Sequence, residues 1–294
     1  MNVLLIGHLS IDLLTGAGGQ QRQEYGGIAR AAATFGSLAG SRDQVVPVCA
    51  VPAEELEPFG AFLASYPAVS TAGLVSGEHP LPRIPAAALG DRGHAEEHHP
   101  QPPIPFEKIR RHLLADRVLI NMVSGRDITL ETLDEIRMAL RDRQIPIHLD
   151  IHNLTLCASP TGRLERGPVE LWRRWAFMVD TLQMNEGEIA ALTVERMAEA
   201  ETAGHLLTLG SHAVIVTRGA RGVTVYCNDR KRVVRTDIAG VGQRQAKLGC
   251  GDVFGAAFVA HRAAGADPVE AARAANALAA ERCTVEAPAV PGEA

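Results

Sequence analysis

The sequence predicts an α/β protein with a mainly parallel central sheet and helices on both of its faces. Short apolar runs alternate with amphipathic or Ala-rich stretches along most of the chain, which is the pattern of βα units. The first run, residues 2–7, is continuously apolar and ends in Gly7, as expected of a parallel strand that is buried on both faces. The composition, 46% hydrophobic and 21% charged residues, is that of an ordinary globular protein.

The remaining elements follow the same alternation. Strands are predicted at 45–51, 118–122, 146–150, 179–184 and 213–217, with an antiparallel pair at 223–227 and 232–236. Helices are predicted from Gly26-Gly27 to about Leu38 and at 53–66, 129–141, 169–175, 186–192, 198–207, 252–264 and 268 to about 283. No linker or internal repeat interrupts the pattern, so the sequence predicts a single domain over residues 1–294.

Two stretches depart from the alternation. Residues 15–24 are polar and Gly-rich, and residues 75–105 mix prolines, glycines and histidines with short apolar pieces. We expect the first to be either a flexible crossing or the edge of a lid, and the second to be an excursion of two strands joined by residues 90–93. Long irregular stretches in compact domains are usually lids or disordered inserts, so lid elements are predicted at about 13–25 and 75–105.

Composition and charge argue against several classes of protein. The net charge is -5 and aromatic residues are only 4% of the chain, so neither a nucleic-acid partner nor a stacking platform for single strands is expected. No stretch is long and apolar enough to suggest a membrane span, and the apolar N-terminus is interpreted as a first strand rather than a signal peptide. The five cysteines form no CxxC pair, so we expect no zinc site and no disulfide framework, in keeping with a cytoplasmic location.

The most informative stretch is Leu248–Gly255, a glycine-containing loop that leads into an Ala-rich helix. The first amides of a helix have no intrahelical partner and the helix dipole is positive there. Gly249 and Gly251 let the backbone approach a ligand closely, so the stretch predicts an anion site suited to phosphate. Asp252 is then either a helix cap or a base that takes a proton from an attacking hydroxyl.

Other candidate residues lie near predicted strand ends and helix starts. Asp12 follows the first strand, where it could accept hydrogen bonds from sugar hydroxyls or remain a solvated loop residue. The pair Gly26-Gly27 suits close approach to a ligand but also suits a simple helix entry. Asn185–Glu188 (Asn-Glu-Gly-Glu) could be only a capped helix start. Thr217–Gly222 (Thr-Arg-Gly-Ala-Arg-Gly) could be only a turn between two strands, and Asn276 could be only an exposed polar residue.

Taken in order, these segments resemble the motifs of the ribokinase-like (PfkB-type) sugar and nucleoside kinases. Gly-Cys-Gly-Asp at 249–252 is similar to the family's GAGD signature, Gly26-Gly27 to its GGxxxNxA motif, Asn185–Glu188 to NxxE, and Thr217–Gly222 to TxGxxG. The resemblance implies a three-layer ribokinase-like sandwich with a small β lid. It also implies ATP and Mg²⁺ as cofactors and a sugar or nucleoside as the acceptor. No Walker A motif and no GxGxxG after the first strand are present, which argues against the P-loop and Rossmann classes.

The resemblance also implies roles for individual residues. Asp252 would be the general base, and the amides of Gly249, Cys250 and Gly251 would form the anion hole. Acceptor contacts are implied for Asp12, Gly26 and Gly27; nucleotide contacts for Asn185, Thr217, Gly219, Gly222 and Asn276; and support of Mg²⁺ through water for Glu188. Family members often dimerise through the lid, so the resemblance allows a homodimer.

The sequence departs from the family pattern at two places. The asparagine of GGxxxNxA is Ala31, and we suggest that Arg30 substitutes for it or contacts an acidic group. The Asp-Thr that usually precedes the anion loop is Ala246-Lys247, so Lys247 either places an ammonium beside the phosphates or points to solvent. Three functions therefore stay open: a kinase for the primary hydroxyl of a sugar, a nucleoside kinase, and a non-catalytic small-molecule binding protein on a kinase fold.

Overall fold

The structure is a computed structural model that describes residues 1–15, 21–85, 101–158, 164–230, 232–241 and 249–282. Its strands are β1 (Asn2–Ile6), β2 (Leu9–Thr15), β3 (Gln21–Gly27), β4 (Gln44–Pro52), β5 (Leu74–Gly77), β6 (Arg83–Pro85), β7 (Arg117–Asn121), β8 (Ile147–Asp150), β9 (Leu156–Ala158), β10 (Leu164–Arg166), β11 (Thr181–Asn185), β12 (Ala213–Thr217), β13 (Gly222–Asp229) and β14 (Arg232–Ala239). Nine of them form the central sheet, in the order β14-β13-β12-β11-β8-β7-β1-β4-β5.

The central sheet is parallel from β12 to β5, and β13 and β14 extend it antiparallel at one edge. The inner strands are almost entirely apolar; Leu4, Leu5 and Ile6 of β1 have no exposed surface. Strands covered on both faces are expected to show such continuous apolar runs instead of alternation. The predicted mainly parallel sheet is therefore confirmed.

Helices cover both faces of this sheet. They are α1 (Ile28–Leu38), α2 (Ala53–Ala64), α3 (Phe106–Ile109), α4 (Leu130–Leu140), α5 (Trp172–Phe177), α6 (Glu186–Ala191), α7 (Glu199–Thr208), α8 (Cys250–Ala263) and α9 (Pro268–Arg282). Side chains of α1, α2, α8 and α9 build one buried core, and those of α3 to α7 build the other. No helix in the described ranges is long and apolar enough to cross a membrane.

A second sheet of three strands, in the order β3-β2-β6, was only partly predicted. Strand β2 pairs antiparallel with β3 and parallel with β6. Gln21–Gly27 is a strand, so of the two alternatives for residues 15–24 a flexible crossing is wrong from residue 21 onward, and a lid edge stays a prediction. The strand was not expected because its sequence is polar. Glu24 is nevertheless buried there, because it forms ion pairs with Arg22 and Arg30. The turn predicted at residues 90–93 lies outside the described residues, as does most of the second lid element.

The parallel strands and α8 meet at one edge of the central sheet. The carboxyl ends of β1, β7, β8 and β11 point to this edge, and the N-terminus of α8 lies against them. Helix α8 can approach the sheet closely because Gly255 has no side chain. A Cβ there would lie 2.9 Å from Oε1 of Gln183. Ligands of open α/β sheets bind at this edge, so the fold brings the candidate residues to one place.

Candidate active site

Asp252 lies in the first turn of α8 and is only 4% exposed. Its Oδ1 accepts a hydrogen bond of 2.6 Å from Nδ2 of Asn121, the last residue of β7. Burial raises the pKa of Asp252 above its ordinary value, whereas His152, the Asn121 hydrogen bond and Arg30 act in the opposite direction. The side chain thus faces polar groups of the strand ends, and no side-chain cap bond is made at the N-terminus of α8.

Asp12 lies on β2 and is as deeply buried as Asp252. Its Oδ2 accepts hydrogen bonds from Nε and Nη2 of Arg30, at 3.1 and 2.7 Å, and its Oδ1 accepts one from Ser10 at 3.2 Å. Burial raises the pKa of Asp12, Arg30 lowers it, and the negative charge of Asp252 raises it further. The two carboxylates are therefore close enough to affect each other's protonation.

Arg30 projects into the site from the first turn of α1. Besides Asp12, its Nη2 contacts Oε2 of Glu24 at 3.4 Å. Ala31, which stands where the family has an asparagine, has no exposed surface and belongs to the hydrophobic core. Arg30, the residue before Ala31, therefore makes the contact with an acidic group that was suggested from the sequence.

Two glycines shape the surroundings of this ion pair. A Cβ at Gly26 would lie 2.2 Å from Oδ1 of Asp12, and a Cβ at Gly249 would lie 2.1 Å from Cδ of Arg30. Gly249 is the residue before α8 and has a φ of 80°, in the left-handed region that favours glycine. The Arg30 side chain consequently runs directly over the start of the predicted anion loop.

The anion loop is tied to the sheet by Gln183 of β11. Its Nε2 donates to the carbonyl of Gly251 at 3.0 Å and to Oδ2 of Asp150 at 2.9 Å. Burial raises the pKa of Asp150 well above its ordinary value, since His152 only partly offsets the desolvation and the nearby negative charges. A buried amide therefore joins the first turn of α8 to the end of β8.

His152 lies among four carboxylates just after β8. Burial alone would lower its pKa, but the negative charges of Asp252, Asp150, Glu188 and Asp127 raise it above the ordinary value. Its φ is 41°, which is uncommon for a residue with a side chain. Its Nδ1 is buried and has no hydrogen-bond partner within the described ranges.

Glu188 and Asn185 form a capping box at the start of α6. Backbone N and Nδ2 of Asn185 donate to the two oxygens of Glu188 at 2.7 and 2.6 Å, and Nη2 of Arg166 lies 3.2 Å from Oε1. A carboxylate has about four acceptor positions, so little capacity is left for direct ligation of a metal. In the described part of the chain, no group of three or more His, Cys, Asp or Glu side chains could hold a metal ion. The residues fit a water-mediated role better than direct coordination.

The segment Thr217–Gly222 joins β12 to β13. Oγ1 of Thr217 lies 3.5 Å from the carbonyl of Met184, and Arg218 ion-pairs with Glu186 and Glu199. Gly222 has a φ of 102°, and a Cβ there would lie 2.0 Å from the carbonyl of Ile238. The segment therefore lies beside the Asn185 cap, at the same sheet edge as the anion loop.

Three other predicted residues have different surroundings. Asn276 is buried in α9, and its Nδ2 donates to the carbonyl of Ala239 at 2.9 Å, so the exposed alternative is wrong. Lys247 lies outside the described residues. Cys250, the first residue of α8, is disulfide-bonded; cysteine spacing did not reveal this single bond, because spacing cannot show which residues meet in space.

Several residues of the site were not predicted: Asn121, Asp127, Asp150, His152, Gln183 and Glu24. One signal was available, because Asn121 and Asp150 are polar residues that end apolar runs at 118–121 and 147–150. Parallel strands bring such ends to one edge. No such sequence signal identifies Gln183, because its role depends on the contact that it makes with the carbonyl of Gly251 in α8.

Known proteins share sequence features and the overall fold with this chain. Residues 160–293 match the sequence profile of the pfkB family carbohydrate kinases, and a search of curated proteins found no match. Among solved structures, the chain is similar to a pyrophosphate-dependent kinase of the ribokinase family complexed with a pyrophosphate analog and myo-inositol (15% identity, 96% of this chain and 95% of the other, TM-score 0.73). It is also similar to aminoimidazole riboside kinase from Salmonella enterica (16%, 97% and 94%, 0.70) and to Arabidopsis thaliana ribokinase complexed with ribose and ATP (19%, 98% and 94%, 0.67).

These likenesses define the fold as that of the ribokinase-like kinases. The match over residues 160–293, which is less than half of the chain, makes that part of the sequence similar to the pfkB family carbohydrate kinases.

Proposed function

We propose that the protein transfers the γ-phosphate of ATP to a hydroxyl, most simply a primary one, of a sugar or sugar derivative. The observation that carries this proposal is the pairing of two buried carboxylates, Asp252 and Asp12, at the carboxyl edge of the sheet. One lies in the first turn of a glycine-bordered helix and the other is held by Arg30. A binding protein would gain nothing from a buried carboxylate beside an anion site, whereas a kinase needs a base there.

In this proposal Asp252 takes the proton of the acceptor hydroxyl as its oxygen attacks the γ-phosphorus. The amides of Gly249, Cys250 and Gly251 stabilise the charge on the transferring group. Preorganised donors of this kind each contribute roughly two to three orders of magnitude in rate. Phosphoryl transfer depends mostly on positioning and charge, which fits a site of rigidly held backbone and side chains.

The acceptor would lie against Asp12 and the glycines 26 and 27. Gly26 leaves the face of the Asp12 carboxylate uncovered, since any Cβ there would collide with it. The carboxylate of Asp12 is already paired with Arg30, so it can orient hydroxyls without presenting an unpaired charge. This arrangement favours a neutral polyol over an acceptor with a charged group.

The donor would lie along Asn185, Thr217, Gly219, Gly222 and Asn276. Bound Mg²⁺ would neutralise charge on the phosphates, and Glu188 would hold it through water. Because Asn185 and Arg166 already fix Glu188, this carboxylate can orient a metal-bound water without moving. Lys247 belongs to the proposal as a further cation beside the phosphates.

A phosphate-transfer assay after a ligand screen tests this function. Sugars, polyols and nucleosides are screened by thermal shift, since ligands that bind the folded state raise its apparent stability. Each hit is then incubated with ATP or with pyrophosphate, because one structural relative uses the latter donor. We expect turnover of a polyol with Mg-ATP that Asp252→Asn abolishes while ligand binding persists.

The control for this assay is Asp229→Asn, which changes an exposed aspartate at the end of β13 and should leave turnover unchanged. Turnover of a nucleoside would favour the nucleoside kinase. Turnover with pyrophosphate but not with ATP would mean that pyrophosphate is the phosphate donor. A protein that binds a polyol but transfers phosphate from neither donor would be a binding protein on a kinase fold. A homodimer through the lid and a cytoplasmic location are further parts of the proposal, tested by light scattering and fractionation.

A further inference from the structure

Asn121 makes the closest polar contact to the proposed base that the structure describes. It is 1% exposed, and its Nδ2 donates to Oδ1 of Asp252 at 2.6 Å. The two residues are 131 positions apart in the chain. Hydrogen bonds to ionised groups are shorter and about twice as strong as neutral ones, so this distance suits a carboxylate acceptor.

The position of Asn121 is fixed by the sheet. Asn121 pairs with Asp150 in the register of β7 and β8, and a Cβ at Gly7 would lie 2.6 Å from its carbonyl oxygen. The preceding residues of β7, Val118 to Ile120, are buried and apolar. Asn121 is therefore the point where a rigid core strand presents a hydrogen-bond donor to the catalytic helix.

A buried amide in this place has a cost that packing does not explain. The Oδ1 atom of Asn121 is itself buried without a hydrogen-bond partner among the described residues. An unsatisfied buried polar group destabilises the folded state, and a leucine of similar size would avoid that loss. The side chain is consequently better explained by its contact with Asp252 than by a role in the core.

Charged groups act on Asp252 from α1, from β2 and from the segments at the neighbouring strand ends. Arg30 lies on α1 and Asp12 on β2, while His152, Asp150 and Asp127 follow or end the neighbouring strands. The cations and the Asn121 hydrogen bond favour the ionised carboxyl, and burial and the other carboxylates oppose it. Among these influences, the hydrogen bond from Asn121 acts on one particular oxygen of Asp252, because its Nδ2 donates to Oδ1.

We propose that Asn121 is a positioning residue for the base: it holds Oδ1 of Asp252 and leaves Oδ2 to accept the proton of the acceptor hydroxyl. In the step itself, the hydroxyl O–H bond breaks toward Oδ2 as the new O–P bond forms and the bond to the leaving phosphate breaks. The inference rests on the proposed function, since it assigns a task within that reaction. It adds a residue that none of the sequence motifs contains.

Asn121→Leu tests this role because it keeps the size of the side chain and removes the donor. A hydrogen bond to a charged group is worth about 1.5–3 kcal/mol, so kcat/KM at neutral pH should fall roughly 10- to 100-fold. The acid limb of the pH profile should move up by about one to two pH units, because the ionised base has lost its donor. The KM for the acceptor should change much less than kcat.

The matched control is Ser211→Ala. Ser211 is also a buried polar side chain, and its Oγ lies 3.5 Å from the carbonyl of Ala176, just before β12 and away from the site. We expect a loss of stability without any shift of the acid limb. If Asn121→Leu does not fold, Asn121→Ala removes the same donor and leaves space instead of adding apolar surface.

A second measurement does not depend on turnover. The protein is labelled with ¹³C at the aspartate carboxyls, and Asp252 is assigned by comparison with Asp252→Asn. Its pKa should be higher in the Asn121 variant than in the wild type and unchanged in Ser211→Ala. An unchanged Asp252 titration and acid limb would overturn the inference. A wild-type protein that never transfers phosphate would overturn the proposed function, while the titration would still decide whether Asn121 controls Asp252.

Discussion

Arg30 donates two hydrogen bonds to one oxygen of Asp12, and the same side chain lies directly against Gly249 at the start of α8. Through Arg30, the carboxylate of Asp12 on β2 and the proposed anion loop at the start of α8 contact the same cation. Their relative position is therefore set by the ion pair as well as by the sheet. Four predictions follow from this and the neighbouring contacts.

Replacement of Arg30 by alanine should destabilise the protein strongly. Asp12 and Glu24 are both almost completely buried, and removing one partner of a buried pair costs about 3–5 kcal/mol. Chemical denaturation measures this loss as a change in the free energy of unfolding. The control is Arg235→Ala, which removes an exposed ion pair with Asp237; it should cost less than about 1 kcal/mol. Equal losses in the two variants would contradict a central role for Arg30.

Gly249→Ala should abolish most phosphate transfer and lower stability by more than backbone strain explains. Gly249 and Gly265 both have a positive φ, 80° and 98°, but only at Gly249 would a Cβ collide with a neighbour, at 2.1 Å from Arg30. Gly265→Ala, where no atom lies within 4 Å, therefore measures the cost of the backbone conformation alone, about 1–2 kcal/mol. Comparison of the thermal unfolding of the two variants separates the cost of the backbone conformation from the cost of the collision with Arg30. Identical unfolding temperatures would mean that Arg30 moves aside without cost.

Gln183→Leu should lower kcat while the protein remains folded. The variant loses the bonds to Gly251 and Asp150 that hold the first turn of α8, so the anion-hole amides become less well positioned. Thr181→Val is the control on the same strand, since its hydroxyl bonds His148 at 2.7 Å away from the loop. We expect both variants to lose stability by about 1–3 kcal/mol. Only Gln183→Leu should lose activity, by roughly tenfold or more. Equal activities in the two variants would argue that the loop holds its shape without Gln183.

Asp150→Asn should flatten the dependence of stability on pH. The folded-state pKa of Asp150 is raised well above 3.8, so the folded protein binds its proton more tightly than the unfolded chain does. The stabilisation is fully present below 3.8 and is lost as the pH rises through the folded pKa. His152 acts in the same direction, because its raised pKa contributes stability below 6.5 that is lost at higher pH.

Urea unfolding of the ligand-free protein between pH 5 and pH 8 measures this effect. We expect the wild type to lose more stability over this interval than Asp150→Asn, so that the variant gains relative to the wild type as the pH rises. Asp229→Asn, at an exposed position, should follow the wild type. A variant that falls further behind the wild type with rising pH would show that Asp150 is stabilised as a carboxylate.

The sequence by itself determined the architecture and was enough to propose a place for the site. The buried strands are recognisable because continuous apolar runs are needed where helices cover both faces of a sheet. The proposed anion loop at 249–252 stands out because glycine is the residue that lets backbone approach a ligand closely. Such local requirements leave a signature in neighbouring residues, so they can be interpreted without a structure.

Only the tertiary structure decided which side chains work together. The contacts of Asn121 with Asp252, of Gln183 with Gly251 and of Arg30 with Gly249 join residues that are far apart in the chain. The hairpin strand at Gln21–Gly27 also depends on another element, since its buried Glu24 pairs with Arg30 on α1 as well as with Arg22 on the same strand. These roles depend on how closely α8 and α1 approach the sheet. That distance results from packing of the whole core, and no local pattern of residues encodes it.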